Sequence, residues 1–480
     1  MGTADIGVSR RPLRPTLGAA SGLFIVLAGW VIGLRPLTDN SFFTHLATGR
    51  IILDSGAVPS TDPYSFTAHG TSWLVQSWLA SWLYATVESL GGASGLRLLM
   101  GGTAAILTAL AWRLTRPAES VVARVALGAV FVAVGAGLWA ERPLMLGLIA
   151  LACVVLAVDG GLDPRWLVPI GWVWVNVHGS FPLGIAYVAV VAVGTRLDGR
   201  TPTQELRVLA WLAAGVALGA VGPLGPAVLV FPIELLQRQE ILRNVIEWRA
   251  PTFDSLSQRM FLVQLGLSSL ALVRRPSYRD GLLVAVFGAA ALLGVRNLPI
   301  ASMVLLPLLA SAAPSFGTLR SGDRMPFATT LAAVGLAAAL LFGVVRLGQR
   351  DFELRAYPID ALAYLRGHGV DLSKHRLASK DTVGNLMEML DGPRSEVFYD
   401  DRFDMFPDAV SQAHLSLVLG GPTLPSDLAR YEVEMVLWER TSGTGQRLIV
   451  DPFWRVLYSD ESWLIACKHG ADLGGEIGGC

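Results

Sequence analysis

Residues 17–35 read LGAASGLFIVLAGWVIGLR, a run that stays uncharged until its final arginine. At the 1.5 Å rise of an α-helix, about 20 apolar residues cross the hydrocarbon core of a bilayer. Arg10, Arg11 and Arg14 precede this run, and no small-residue cleavage site follows it. Because positive charge stays on the cytoplasmic side, the run is predicted to be a retained signal-anchor with its N-terminus inside.

Similar apolar runs recur through the first three quarters of the chain. We count about eleven, at 17–35, 96–114, 121–140, 143–158, 165–177, 181–195, 205–222, 260–273, 281–295, 298–313 and 327–347. The composition agrees, since 52% of the 480 residues are hydrophobic and only 16% are charged, where soluble domains carry about a quarter charged residues. The sequence predicts a mainly α polytopic transmembrane bundle over residues 1–347.

The charges indicate how the bundle is oriented. Lysines and arginines number 38 and acids also 38, so no net charge favours a nucleic-acid partner. Arginines cluster in alternate loops, such as Arg113 with Arg116 and Arg274 with Arg275. This positive-inside pattern predicts a multi-pass protein of the cytoplasmic (inner) membrane, surrounded by the lipid bilayer. An odd number of spans would place everything after Leu347 outside.

Residues 348–480, here called the C-terminal domain, change in composition. All three lysines of the chain lie there, and acids and turn residues become frequent. Short β-like runs at 396–399, 434–437, 454–458 and 463–466 alternate with helical stretches at 359–366 and 408–419. We predict a small, soluble, independently folded extracytoplasmic α/β domain whose glycine-rich end is frayed. The cysteines are too few and scattered for a disulfide framework: Cys153, Cys467 and Cys480.

The predicted orientation also sorts the polar residues. The histidines of the membrane half all fall at outer ends of spans, at His45, His69 and His178. The cytoplasmic loops offer little beyond arginine, proline and glycine. Ionisable groups at a membrane boundary are functional candidates, so any chemistry is predicted to lie outside.

The loop after the first span is the densest in such groups, with Asp39, His45 and Asp62. A carboxylate there could deprotonate an acceptor hydroxyl while a lipid phosphate leaves, and burial would raise its pKa toward the working range. Structural interpretations stand beside this one. Asp39 could cap a helix, His45 could be a packing histidine, and Asp62 before a proline could form a turn. His178, where a truncated span is interrupted, is harder to explain by packing.

These residues resemble the hallmark of a large group of bacterial integral membrane proteins similar to the GT-C glycosyltransferases. In that group a first-loop pattern of the type Asp-x-Asp-x-Trp-Trp-His-Leu-x-x-Gly is followed by Pro-x-x-Asp-Pro-Phe-Ser-Phe-Thr and a Trp-containing helix. The matching positions here are Asp39, Ser41, His45-Leu46, Gly49, Pro59, Asp62-Pro63-Tyr64-Ser65-Phe66-Thr67 and Trp78-Leu79. The resemblance continues through Arg142-Pro143, Asn176-Val177-His178-Gly179, Ile246-Glu247-Trp248, Arg296-Asn297, the run 397–404 and the segment 452–460.

The resemblance implies a GT-C-like transmembrane domain and a membrane glycosyltransferase. Such an enzyme would transfer a sugar from a polyprenyl-phosphate donor to a cell-envelope glycan, lipid or protein on the extracytoplasmic face. Asp39 is then the catalytic candidate, as the base or as the group that orients the acceptor. Supporting acid or acceptor contacts are expected from Asp62, His45 and Glu247. The donor phosphate is expected to bind Arg142, His178 and Arg296, since arginine forks match phosphate oxygens.

The chain departs from the group's pattern at Ser41, where the second acid of the loop is expected, and at Gln76-Ser77 before Trp-Leu. Serine and glutamine are poor ligands for hard cations, and no cluster has the spacing of a zinc site. No cofactor is therefore predicted, and a divalent metal bound by two carboxylates of this loop is disfavoured. Three alternatives remain open: metal-independent catalysis, a second carboxylate from Asp62 or Glu247, or a non-catalytic relative.

Two other functional classes compete with the transferase. The first is a non-catalytic lipid-binding or envelope-assembly scaffold, whose C-terminal domain would recruit partners through the acidic cluster Asp400-Asp401-Arg402 with Asp404. The second is a secondary transporter. It is disfavoured because no inverted repeat is evident and the acids lie at one face, whereas coupled-transport sites lie near the bilayer midplane.

Overall fold

The computed structural model describes residues 15–238, 246–314, 319–323, 325–349 and 352–480. Arg10, Arg11 and Arg14, from which the orientation of the first span is predicted, lie outside the described residues. The first part of the chain is helical: α1 (Leu17–Gly33), α2 (Asn40–Ser55), α3 (Trp78–Leu114), α4 (Val121–Gly135), α5 (Leu144–Val158), α6 (Leu167–Val177), α7 (Pro182–Leu197), α8 (Thr203–Leu218), α9 (Ala227–Gln237), α10 (Leu256–Arg274), α11 (Tyr278–Leu293), α12 (Leu298–Ala312) and α13 (Pro326–Leu347).

Several of these helices have the length and composition of membrane spans. Four described segments are long and apolar enough: Trp78–Leu114, Leu256–Arg274, Val295–Ala312 and Phe327–Leu347. Five shorter apolar helices, among them α1 and α5, accompany them. Along α13, apolar side chains such as Leu341 and Val344 remain largely exposed, as expected of a lipid-facing helix. The helices are those of a membrane protein, and the number of spans stays a prediction.

Small residues let the first helices approach closely. A Cβ placed on Gly29 of α1 would lie 2.4 Å from Thr108 Oγ1, and one on Gly33 would lie 2.6 Å from the Met100 carbonyl oxygen. Only glycine fits such a contact between α1 and α3, a packing typical of membrane helices. Within α3, Gly92 has a φ of 57°, a backbone angle that residues other than glycine rarely adopt. The helix therefore changes direction there.

The C-terminal domain contains the predicted mixture of helices and strands. Its elements are α14 (Ile359–Gly367), β1 (Leu377–Ser379), α15 (Asp381–Asp391), α16 (Asp408–Leu419), α17 (Leu424–Arg430), β2 (Met435–Glu439), α18 (Gly443–Val450), β3 (Trp454–Ser459) and β4 (Trp463–Lys468). The strand order is β1-β2-β4-β3, with β1 parallel to β2 and the other pairs antiparallel. The predicted helices and three of the four predicted strands are confirmed. The run 396–399 forms isolated bridges through Val397 instead of a strand.

The prediction of a frayed C-terminus is wrong. Cys467 on β4 forms a disulfide with Cys480. The backbone N–H of Cys480 also donates to the Ala471 carbonyl oxygen at 2.8 Å. A single cross-link is no framework, but it ties the last residue of the chain to the sheet.

The C-terminal domain packs against the segment between α1 and α3, residues 34–77, here called the first loop. Val397 N–H donates to the Tyr64 carbonyl oxygen at 3.0 Å, and Phe66 N–H donates to Val397 at 3.1 Å. Phe66 and Phe398 form an edge-on aromatic pair with ring centroids 5.9 Å apart. One hydrophobic core contains Phe42, Tyr64 and the buried residues of the sheet. That core crosses the predicted boundary at 347/348, so the domain does not pack on its own.

Candidate active site

Asp39 lies at the N-cap of α2, where its Oδ1 accepts a hydrogen bond from Phe42 N–H at 3.3 Å. A carboxylate is favoured there because the first helical N–H groups lack partners and the helix dipole is positive at this end. Both carboxylate oxygens also accept from Arg142 Nε, at 2.9 and 2.8 Å. The Asp39 side chain is thus both the N-cap of α2 and the candidate catalytic group.

Arg142 lies in the connection between α4 and α5 and joins two acids. Its second partner is Glu247, on the short 3₁₀ turn Ile246–Trp248, which accepts from Arg142 Nη1. The side chain of Asp39 is 11% exposed, that of Arg142 26% and that of Glu247 43%. Burial lowers the pKa of Arg142, but the two carboxylates outweigh it and raise that pKa. Three residues proposed from separate loops therefore meet in one cluster, here called the open cluster, which remains accessible on the Glu247 side.

A second carboxylate reaches the start of α2 from the C-terminal domain. Asp401 accepts a hydrogen bond from Ser41 Oγ, across 360 positions of sequence. Asn385 Nδ2, on α15, donates to Asp401 Oδ1 at 2.6 Å and to the Asn40 carbonyl oxygen at 3.2 Å. From the sequence, Asp401 was named only within the acidic cluster of the scaffold alternative and was not expected at this site. Two signals were present: the serine in place of an acid, and the acidic run 397–404.

The environment of Asp401 shifts its titration. Burial raises the pKa of Asp401 to about 7, and Asp400 raises it as well, whereas the Ser41 hydrogen bond, Arg142 and Asn385 lower it. The side chain is nevertheless partly exposed. A carboxyl group that titrates near neutrality and is reachable from outside has the properties of a general acid or base.

Asp62 occupies a different place from the one predicted. It is 1% exposed and accepts from Tyr64 N–H, Ser65 N–H and Ser65 Oγ at 3.2, 3.1 and 2.5 Å. It also pairs with Arg402 Nη1 at 2.7 Å. In the described part of the chain the Asp62 carboxylate contacts Tyr64, Ser65 and Arg402. It therefore anchors the first loop and is absent from the open cluster.

Arg402 is the centre of that second group, here called the buried cluster. Besides Asp62, it pairs with Asp400 at 2.6 Å and with Glu388 on α15 at 3.4 Å. Its guanidinium lies 4.8 Å from the Tyr64 ring centroid and 4.5 Å from that of Trp73. A buried arginine needs such partners, because an unpaired charge in the interior is costly. The cluster joins the first loop to the C-terminal domain.

His45 faces the interior of the protein. Its Nδ1 lies 3.0 Å from Ser81 Oγ on α3, and its ring contacts that of Tyr84 at 6.4 Å between centroids. Burial and, to a smaller extent, the charge of Arg142 lower the pKa of His45 to about 4. The ring is therefore neutral at pH 7, and its contacts are those of a packing histidine.

Two of the predicted phosphate-binding residues differ in charge. Burial, with the charges of Arg296, His45 and Arg142, lowers the pKa of His178 to about 3, so the imidazole is neutral. Its Nδ1 accepts from Ser180 N–H at 3.1 Å, just past the end of α6. Arg296 instead stacks on Trp248, with 4.2 Å between its Cζ and the ring centroid. None of the ion pairs formed within the described ranges includes Arg296, so its guanidinium is available to an anion.

Open space adjoins the start of the first loop. A cavity of about 870 Å³ is lined by Pro36, by Arg97 of α3 and by residues at the beginning of the C-terminal domain, including Phe352 and Tyr357. Tyr357 Oη donates to the Thr38 carbonyl oxygen at 3.0 Å, one residue before Asp39. In the portion of the chain that the structure describes, no three histidine, cysteine, aspartate or glutamate side chains converge as a metal-binding group.

The fold matches that of solved oligosaccharyltransferases. One is the archaeal oligosaccharyltransferase AglB from Archaeoglobus fulgidus, in complex with an inhibitory peptide and a dolichol-phosphate. It aligns with a TM-score of 0.54 at 12% identity, covering 88% of this chain and 69% of that one. A second structure of the Archaeoglobus fulgidus oligosaccharyltransferase, in complex with Zn and sulfate, gives 0.50 at 12% identity, with coverages of 93% and 73%. No protein-family model and no curated protein matches the sequence. The predicted resemblance to the GT-C glycosyltransferases is thereby confirmed at the level of the fold.

Proposed function

We propose that this chain is a glycosyltransferase that moves a sugar from a polyprenyl-phosphate donor to a glycan, lipid or protein of the cell envelope. The observation that carries the proposal is the open cluster, in which Asp39 at the start of α2 holds Arg142. This cluster is set on a fold shared with an oligosaccharyltransferase that binds a dolichol-phosphate. A lipid-phosphate donor fits a site at the end of a membrane bundle.

Transfer of the sugar requires a base for the acceptor hydroxyl and a group that stabilises the leaving phosphate. As the acceptor oxygen attacks the sugar carbon, the bond from that carbon to the phosphate oxygen breaks and its electron pair stays on the phosphate. Arg142 and Arg296 are the cations at this end of the bundle that can neutralise the developing charge. Asp39 is the candidate base or the group that orients the acceptor, and neutral His178 can donate a hydrogen bond.

The reaction is proposed to take place on the extracytoplasmic face of the inner membrane, with the C-terminal domain outside and the N-terminus inside. The positive-inside pattern of the loops supports this orientation. The Cys467–Cys480 disulfide supports it independently, because structural disulfides form and persist in oxidising compartments outside the cytoplasm.

The alternative of a partner-recruiting scaffold has less support. Its main feature was the acidic cluster of the C-terminal domain. Asp400 is 0% exposed and Arg402 5%, and both side chains are engaged in the buried cluster. They are therefore inaccessible to another protein.

The test is titration of the purified protein with polyprenyl-phosphate-linked sugars, following both binding and release of free polyprenyl phosphate. Asp39→Asn should lower release by ~100-fold or more, the usual worth of a positioned acid or base, while the protein stays folded and inserted. Asp54→Asn is the matched control, because Asp54 is an exposed acid near the other end of the same helix. Full release by Asp39→Asn, or no release by the wild type with any donor, would contradict the proposal.

A further inference from the structure

Two carboxylates flank the start of α2, and their partners differ. Asp39 binds a permanent cation, since Arg142 Nε donates to both of its carboxylate oxygens. Both oxygens of Asp39 are therefore already engaged. Among the residues that the structure describes, the donors to the Asp401 carboxylate are neutral, with Ser41 on one oxygen and Asn385 on the other. A carboxyl group held by neutral donors can exist in either form, as proton transfer requires.

The charged and titratable groups around Asp401 come from several elements. Arg142 faces it from the connection between α4 and α5, and Asp400 adjoins it on its own loop. Burial and the charges of Asp39 and Asp401 all raise the pKa of Tyr357, which precedes α14. Arg142 favours the carboxylate form, whereas Asp400 and burial favour the protonated form. These influences oppose one another, so the group is poised between its two states.

We infer that Asp401 is the proton acceptor of the transfer reaction, that Ser41 positions it, and that Asp39 instead orients Arg142 at the donor phosphate. This inference rests on the proposed function and divides its two acidic roles between two carboxylates. It also accounts for Ser41, which stands where related loops carry an acid: the serine hydroxyl binds an acid supplied by the C-terminal domain.

The step balances without a further reactant. The acceptor O–H proton passes to the Asp401 carboxylate while the acceptor oxygen forms the bond to the sugar carbon. The bond between that carbon and the phosphate oxygen breaks, and its electrons leave with polyprenyl phosphate. Asp401 then returns the proton to solvent, to which it is partly exposed.

The decisive measurement is the pH dependence of polyprenyl-phosphate release by the full-length protein. Burial and Asp400 outweigh the opposing neighbours and raise the pKa of Asp401 to about 7. Below that value the carboxylate is protonated, so the wild-type rate should fall as pH drops through neutrality. Asp401→Asn should lower the maximal rate of release by ~100-fold or more and abolish the fall in rate near neutral pH. Its binding of the donor should be unchanged.

Ser41→Ala separates positioning from catalysis. The Ser41 hydrogen bond lowers the pKa of Asp401, so its removal should raise that pKa and move the acidic limb of the profile to higher pH. A purely structural role for Ser41 would lower the rate without moving the limb. Asp408→Asn, an exposed acid in the same domain, and Ser55→Ala, an exposed serine on α2, are the matched controls and should leave the profile unchanged.

A second measurement does not depend on turnover. A carbodiimide labels protonated carboxyl groups, so mass spectrometry of the labelled protein should show modification of Asp401 that declines as pH rises through about 7. Polyprenyl phosphate alone should leave that labelling in place, because the inference puts Asp401 at the acceptor. Labelling without a transition near neutrality overturns the inference whatever the rate data show.

These experiments distinguish the role of Asp401 from the transferase activity itself. If wild type transfers sugar and Asp401→Asn keeps the wild-type rate and pH profile, Asp401 has no catalytic role and the transferase proposal stands. If wild type releases no polyprenyl phosphate with any donor, both the transferase and the role of Asp401 are wrong.

Discussion

The protein contains two arginine-centred clusters that each hold an acid of the first loop, and they differ in exposure. In the open cluster Arg142 is 26% exposed and binds Asp39. In the buried cluster the side chain of Arg402 is 6% exposed and that of its partner Asp62 is 0% exposed. The bonds are chemically alike, so the difference lies in access to substrate and water. The buried cluster can only stabilise the structure, whereas the open cluster has an accessible side at which a ligand can bind.

Replacing the central arginine of the buried cluster should have the largest effect. Arg402→Met would leave the carboxylates of Asp62, Asp400 and Glu388 buried without their cation. Breaking a buried pair in this way costs about 3–5 kcal/mol, so we expect a strongly lowered thermal unfolding midpoint in detergent and rapid proteolysis of the C-terminal domain.

Arg394→Met is the control for this loss, because Arg394 is exposed in the same domain. An unfolding midpoint of Arg402→Met equal to that of the control would show that the buried cluster does not hold the domain, and the contrast between the clusters would disappear.

A smaller effect is expected beside the open cluster. Arg296→Ala removes the guanidinium stacked on Trp248, while no carboxylate within the described ranges loses an ion-pair partner. A hydrogen bond to a charged group contributes about 1.5–3 kcal/mol, so the Kd for polyprenyl phosphate should rise about 10- to 100-fold with the unfolding midpoint unchanged. Titration of the lipid against both proteins measures this.

The matched change is Arg259→Ala, an exposed arginine near the start of α10, which should leave lipid binding alone. Equal Kd values for Arg296→Ala and Arg259→Ala would remove Arg296 from the donor site.

The sequence predicted the open cluster better than the buried one. Asp39, Arg142 and Glu247 were selected because charge patterning put all of them at the same ends of their spans, and the structure brings them into contact. The side of the membrane on which a residue lies can be predicted in this way because a membrane restricts where polar residues can lie. It gives no distances, so it also selected His45, whose contacts with α3 are those of a packing residue.

Contacts between the first loop and the C-terminal domain could not be predicted in the same way. Ser41 and Asp401 are 360 positions apart, and hydrophobic periodicity reports only on near neighbours. The composition change near residue 348 indicated an independent domain, although aromatic residues on both sides of that point share one core. The pairing of Asp62 with Arg402 could not be predicted for the same reason, since Arg402 lies in the distant segment.

The central claim is that the two clusters have separate tasks, and the paired variants Asp39→Asn and Asp62→Asn test it most directly. For each, one measures release of free polyprenyl phosphate and the thermal unfolding midpoint in the same detergent. The account predicts that Asp39→Asn loses release by ~100-fold or more with its midpoint retained. Asp62→Asn should lower the midpoint and, below it, retain release per folded molecule. A stable Asp62→Asn without release, together with a fully active Asp39→Asn, would contradict the account.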